Sequence, residues 1–415
     1  MECLFLRNFE TLTTNLLEQF LNAHDYDIRK TRNGRWIDQK CTMDELCFVA
    51  DCVVVYLQEG GQQPFQSPDI WHTEYAIENV QKLFSKPDPM DKSTMDEYNK
   101  FFRQPLKMLA AAGVLREDGR KNNASQFRVE NEAVLEYLSL RERNCFDFLC
   151  SYITKTLKDS GLWDAFESFF DEQTMEQYEK VKERFRKFCY DYTPIKNHAE
   201  PARIFTKVLN PLAVLLKKKG TVGGHISSNI ITLEDIKYNR TNFRDKDKDK
   251  NVSRQHAQNV PVVEDVVYEY NVEKAKRRLR MFNDKFHGGK SEITDRYSIG
   301  EKATHMHHIF PKHLYPQIAD YIENLIALTS GQHLQKAHPA GNTQKIDLDY
   351  QYLCLINKTE SIRMNIVEGF GEPLYDFGAY MFVLDTGLKT DYFETLPSND
   401  FANVVSGIEV NFPNK

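Results

Sequence analysis

The sequence predicts an α+β chain, with mostly helical N-terminal and middle regions and a mixed C-terminal third. Three observations carry this. Capped apolar runs at helical spacing, followed by a short hairpin pattern, occupy residues 42–129. Aromatic-rich helical stripes fill most of residues 131–237. Beyond them, six of the twelve histidines fall between 305 and 338, on two short β patterns and the helical turn that follows.

Residues 9–23 read as an N-terminal helix, followed by a polar turn at Arg32-Asn33-Gly34-Arg35. Thr42-Met43-Asp44-Glu45 is a capping-box pattern that opens an apolar helix to Leu57, stopped by Gly60-Gly61. Ser67-Pro68 supplies an N-cap and a first-turn proline for a second helix to Phe84, with Ile70, Ile77, Val80 and Phe84 on one face. Thr94-Met95-Asp96-Glu97 opens a third helix that ends at Gly113. Val114-Leu115-Arg116 and Gln126-Phe127-Arg128-Val129 flank a polar turn at 118–123 and read as a hairpin.

Three helices and a hairpin in that order resemble a winged helix-turn-helix domain, with residues 98–115 similar to its third helix and first wing strand. The resemblance implies DNA contact through Lys100, Arg103 and Lys107 on that helix and Arg116, Arg120 and Lys121 in the wing. A protein-contact role for the same domain stays open.

In the helical middle, Phe146, Phe148, Leu149 and Tyr152, then Trp163, Phe166, Phe169 and Phe170, have the spacing of core rather than of a base-stacking platform. Residues 221–225 form a Gly-Gly loop without the lysine spacing of a phosphate-binding loop. From Arg240 to Gln258 the chain is strongly polar, with alternating Asp and Lys at 245–250, and has little to bury. The expected organisation is therefore an N-terminal region at 1–135, a helical middle domain at 136–237, a linker at 238–260 and a C-terminal domain at 261–415.

Composition sets the class. The chain has 415 residues, 41% hydrophobic and 12% aromatic, enough for a globular protein of two or three domains. No run approaches the ~18 apolar residues of a membrane span, and the first residues lack the pattern of a secretory signal, so a cytoplasmic protein without a membrane partner is expected. Eight scattered cysteines form no C-x-x-C pair and read as buried free thiols. The net charge of −6 does not exclude nucleic acid, because phosphate binding depends on local patches. One such patch runs from Lys274 to Lys290: seven basic residues, Arg277, Arg278 and Arg280 among them, against the single acid Asp284.

The chemistry-bearing constellation is Thr304-His305-Met306-His307-His308-Ile309-Phe310-Pro311-Lys312, then Asn324-Leu325-Ile326-Ala327-Leu328-Thr329, then His333 and His338. The first stretch reads as a β segment ending at Pro311, and the second as another, after which Ser330 can cap a helix carrying His333. On a strand, neighbouring side chains point to opposite faces, so His307 and His308 can serve different roles.

These elements together resemble the HNH, or ββα-metal, nuclease family over about 40 residues. The resemblance implies His307, His333 and His338 as ligands of a divalent metal, Mg²⁺ or Mn²⁺, with His308 as the general base and Asn324 tying down the loop that holds it. His338 stands five residues after His333, not the four that keep two ligands on one helix face. It either completes the site from a bent helix end or contacts phosphate. His305, on the same side of the strand as His307, is a further candidate, while His313 reads as surface. Lys312 and Lys336 are backbone-contact candidates, and Asn342 is a candidate lining residue. A structural zinc site is the alternative, disfavoured because no cysteine lies between Cys189 and Cys354.

The expected function is metal-dependent cleavage of double-stranded DNA, as in a type II restriction enzyme, with type IIS behaviour if recognition and cutting are separated. The alternatives are a modification-dependent or toxin nuclease and a winged-helix protein with a vestigial HNH segment. A single ββα site cuts one strand at a time, so double-strand cleavage implies a homodimer, formed if only on DNA, or sequential nicking.

Overall fold

The computed structural model describes residues 15–84, 86–238, 264–338 and 347–413. It falls into two compact units, Met1–Val262 and Val263–Lys415. The expected N-terminal and middle domains thus belong to one unit. Within the described residues the secondary structure is mostly helical, with small antiparallel sheets.

The first unit begins with α1 (Asn15–Asn22), the described part of the expected N-terminal helix. Its centre is α2 (Met43–Gln58), in which every residue from Met43 to Val55 is buried. Burial on all faces makes α2 the post around which the unit packs. After it come β1 (Phe65–Gln66), α3 (Ser67–Trp71), α4 (Glu74–Phe84), α5 (Met95–Ala111), β2 (Leu115–Lys121) and β3 (Ala124–Val129). The three strands form one antiparallel sheet in the order β1-β3-β2. The helical middle supplies α6 (Glu132–Leu140), α7 (Glu142–Asp159), α8 (Trp163–Glu172), α9 (Met175–Tyr192) and α10 (Ala199–Leu216), and both α6 and α7 pack on α2. That shared packing is why residues 136–237 form no separate domain.

Local chemistry departs from expectation at several joints. The expected second helix breaks at Thr73, whose hydroxyl accepts from the Ala76 amide and so restarts the helix as α4. Its first segment starts after Gln66 rather than at a Ser67 cap, with the Asp69 carboxylate accepting from the Gln66 amide. Helices begin at Thr42 and Thr94 as expected, but neither hydroxyl caps. That of Thr42 donates to the Asp44 and Glu45 carboxylates, and that of Thr94 to the carbonyls of Asp88 and Asp91.

The expected turn at 118–123 is mostly strand. The chain reverses at Asn122 and Asn123, both at positive φ (51° and 62°), a conformation asparagine tolerates and two-residue hairpins require. The 221–225 loop is likewise the tip of a hairpin, β4 (Lys219–Val222) with β5 (His225–Ile230), closed by Gly223 and Gly224 at φ 61° and 85°. Tyr238, expected at the start of the linker, is anchored. Its amide donates to the Asp44 carboxylate, and its hydroxyl accepts from Lys40 and Lys86. The rest of the expected linker, 239–260, lies outside the described residues. All described cysteines are buried free thiols.

The second unit begins with α11 (Glu264–Phe286), followed by β6 (Ala303–His308) and β7 (Leu325–Thr329), which pair antiparallel with His307 opposite Ile326 and His308 opposite Leu325. Opposed residues share a face. His305 and His307 therefore lie on the face of Leu328 and Ile326, which enter a core with Phe310, Leu355 and Tyr380. Met306 and His308 lie on the other face. Helices α12 (Ser330–Gln332), α13 (Leu348–Val367), α14 (Phe377–Leu388) and α15 (Phe401–Asn411) complete the unit. Among the described residues, strand β7 has no second β neighbour. Glu292 takes that place, its amide donating to the Ala327 carbonyl at 3.0 Å and its carboxylate accepting from the Ala327 amide at 2.9 Å. Lys358, fully buried, pairs with Glu292 at 3.2 Å and donates to the Tyr375 hydroxyl at 2.7 Å.

Candidate metal centre

The helical turn that carries His333 starts at a capping box. The Thr329 hydroxyl accepts from the Gln332 amide, and the Gln332 carboxamide accepts from the Thr329 amide at 3.0 Å. The cap residue is thus Thr329, not Ser330. Gln332 is fully buried and is also held by the Ser291 hydroxyl and the Ile293 carbonyl. The pattern Thr329-x-x-Gln332 was visible in the sequence as a helix-start signal.

From His333 to Ala337 the turn is a π-helix, and the amide of His338 donates to the carbonyl of His333 at 3.1 Å. An i→i+5 turn takes five residues where an α-turn takes four, so His333 and His338 come round to the same side. The ring centroids lie 4.9 Å apart, and each is close to that of His307, at 5.2 Å from His333 and 5.0 Å from His338. One nitrogen from each of the three rings falls within 4.8 Å of the others. Imidazoles from strand β6 and from the two ends of a π-turn thus converge on a point that a divalent ion could occupy.

The environment favours metal-binding protonation states. Burial drives the His307 imidazole well below its ordinary range, with the neighbouring His333 and His338 adding to the effect. Burial also brings His333 down to about 4. Both rings are therefore neutral at pH 7 and offer lone pairs. The buried Nδ1 of His333 has no hydrogen-bond partner, which is costly unless something binds there. Imidazole nitrogens suit a borderline transition ion better than Mg²⁺, which prefers oxygen ligands.

His308, on the opposite face of the same strand, is held by one bond, from its Nε2 to the Ala319 carbonyl at 3.0 Å. A carbonyl only accepts, so Nε2 carries the proton and the Nδ1 lone pair is left to take one. Burial lowers this imidazole to about 4, so it too is neutral. Asn324 is completely buried. Its Oδ1 accepts from the Phe310 amide at 2.8 Å, and its Nδ2 donates to the carbonyls of Phe310 at 3.0 Å and Ile318 at 3.2 Å. It is a positioning residue, fixing the turn whose next carbonyl, that of Ala319, orients His308. Ala319 acts through its backbone, so no residue type in the sequence could have marked it.

The basic run of α11 is not one solvent-facing stripe. Lys274 and Arg278 are buried, Arg277 is half-buried, Lys276 pairs with Glu273, and Lys285 pairs with Glu372. Of the three arginines expected at DNA, Arg280 is exposed, with a 3.4 Å contact to the Thr304 carbonyl. Arg278, 4% exposed, is withdrawn from any free surface. In the first unit Arg103 is exposed, whereas Lys107 lies 3.7 Å from Glu117. The wing arginines are also partnered, Arg116 with Asp118 and Glu130, and Arg128 with Asp118. Lys312 pairs with Glu269, Lys336 lies over the Tyr297 ring, and His313 is exposed. Asn342 lies outside the described residues.

No family model matches this chain, and no curated protein or solved structure is significantly similar to it.

Proposed function

We propose that this protein is a metal-dependent DNA endonuclease whose centre is His307, His333 and His338, with His308 as the general base. The observation that carries the reading is the convergence of the His307, His333 and His338 imidazoles beside a fourth, His308, whose Nδ1 is unengaged, in an order that resembles the ββα-metal nucleases. His307, His333 and His338 would hold the ion, and donor chemistry favours Mn²⁺ or a later transition ion over Mg²⁺. When bound, such an ion supplies Lewis-acid stabilisation of the leaving oxygen of a phosphodiester. His308 takes the proton of the attacking water at Nδ1, Ala319 fixes its tautomer, and Asn324 fixes Ala319.

The helix order and the β1-β3-β2 sheet of the first unit support a winged-helix reading, with Arg103 exposed on the third main helix. Sequence recognition there and cleavage in the second unit would make a restriction enzyme, with type IIS cutting where the two sites on DNA are displaced. Protein contact is the second reading for the first unit, favoured by the acidic partners already held by Lys107, Arg116 and Arg128.

The test is incubation of pure protein with supercoiled plasmid and Mn²⁺, Mg²⁺ or EDTA. Discrete fragments with a divalent ion, none with EDTA, and loss of cutting in His307→Ala and His308→Ala are expected. Metal-independent cutting, or full activity in His308→Ala, would overturn the assignment.

A further inference from the structure

His305 belongs to no part of the proposed centre, yet its ring lies against one of the three imidazoles. Its centroid is 4.5 Å from that of His333 with 20° between the planes, a stacked pair. Its own orientation is set from the other side. Nδ1 of His305 lies 3.1 Å from the Thr304 hydroxyl and 3.4 Å from the Ser330 hydroxyl, and those hydroxyls lie 3.2 Å from each other. Ser330 and His333 sit on the same short helical segment, so one face of that segment both clamps His305 and receives its ring.

His333 needs such a support. A metal-binding histidine is usually oriented by a hydrogen bond from its second ring nitrogen to a carboxylate, carbonyl or water. Among the described residues, the buried Nδ1 of His333 has no hydrogen-bond partner. Packing alone sets its χ2, an angle that has broad preferences of its own. His307 and His338 stand nearly perpendicular to His333, at interplanar angles of 74° and 83°, so neither ring lies flat on its faces. The flat surface of His305 covers one of them.

We propose that His305 is a positioning residue for the metal centre, a ring clamp that takes the place of the missing hydrogen bond and holds His333 aimed at His307 and His338. This rests on the reading of those three residues as a metal site. His305 is not among the residues whose donor atoms converge, so it acts on the ion only through His333.

Titration of the full-length protein with Co²⁺, followed by visible absorption, tests both statements at once. Wild type should bind one equivalent with the ligand-field spectrum of a three-imidazole site, and His307→Ala should not. His305→Ala should weaken binding by about tenfold, the scale of a lost orienting contact. His305→Phe keeps a flat ring and loses both nitrogens, so it should restore affinity to within about threefold of wild type, with the wild-type spectrum. Melting curves without metal confirm that the variants fold. Two results would overturn the clamp: unchanged affinity in His305→Ala, or a His305→Phe variant as weak as His305→Ala with a shifted spectrum, which would make His305 a ligand. Absence of Co²⁺ binding by wild type would instead bring down the metal reading itself.

Discussion

The amide of His338 donates to the carbonyl of His333, five residues back, at 3.1 Å. In an α-helix five residues advance by about 500°, leaving the second side chain about 140° from the first. The wider π-turn narrows that offset. Deleting the exposed Gln335 would leave a four-residue spacing suited to an ordinary α-turn. Metal affinity in that variant should fall by no more than about tenfold. Inserting an alanine after Gln335 should lower it by about 100-fold or more. Isothermal titration of the two variants checks this, and equal losses would deny the turn its role.

Asn324 answers three backbone groups with one side chain. Asn324→Ala should reduce stability by about 2–4 kcal/mol, because buried amide and carbonyl groups lose their partners. It should also lower plasmid cleavage more than Co²⁺ affinity, since the loosened turn carries the Ala319 carbonyl and hence His308. Denaturant melts and single-turnover cleavage, read side by side, separate the two effects.

A site that is preformed and binds only in the folded state stabilises the fold. Mn²⁺ or Zn²⁺ at 100 times its dissociation constant should add about 2.7 kcal/mol, visible as a raised melting temperature that EDTA reverses. His333→Ala should remove the increment and leave the metal-free melting temperature close to wild type, because its ring is half-buried and its Nδ1 has no hydrogen-bond partner among the described residues.

In the first unit, burial pushes the carboxyl of Glu45 well above its usual value near 4.5, against the pull of Lys40. The folded state therefore holds this proton more tightly than the unfolded chain. The resulting stabilisation is complete below pH 4.5 and is lost as pH rises towards the folded value. Glu45→Gln carries no such charge. It should match wild type near pH 4 and exceed it at pH 7 by on the order of 1 kcal/mol. A gap that narrows with rising pH would contradict the sign.

Gly387 sits on α14 where a Cβ would lie 2.3 Å from the Phe310 ring. Gly387→Ala should reduce stability by about 1–3 kcal/mol, because the aromatic ring must move aside in a packed core. Phe310 also carries the backbone groups that Asn324 binds, so cleavage should fall with stability. Chemical denaturation with an activity assay measures both.

Much of the site was legible because it depends on side-chain identity and short spacings. His307, His308 and Asn324 stand out as residue types in a pattern, and the strand alternation that separates His307 from His308 follows from period two. The meeting of His338 with the others was not legible, since it depends on a backbone hydrogen-bond register that no residue type encodes. The contacts of Ala319 and of the Glu292 amide are main-chain and equally silent. In the first unit the helices were readable from apolar spacing, but hydroxyls such as those of Thr42 and Thr94 donate to nearby oxygens instead of accepting from the helix amides. The basic run on α11 misled for a different reason. Charge counted along the sequence says nothing of which side chains turn inward, and Lys274 and Arg278 do.

The three converging side chains are all imidazoles, and no carboxylate is grouped with them among the described residues. An ion held there would keep its full double positive charge, where an aspartate or glutamate ligand would cancel part of it. Such a centre attracts any small anion as readily as a phosphodiester. Inorganic phosphate, sulfate or a free nucleotide should therefore compete with the polymer for it, and any cleavage by the proposed centre should depend on background anions.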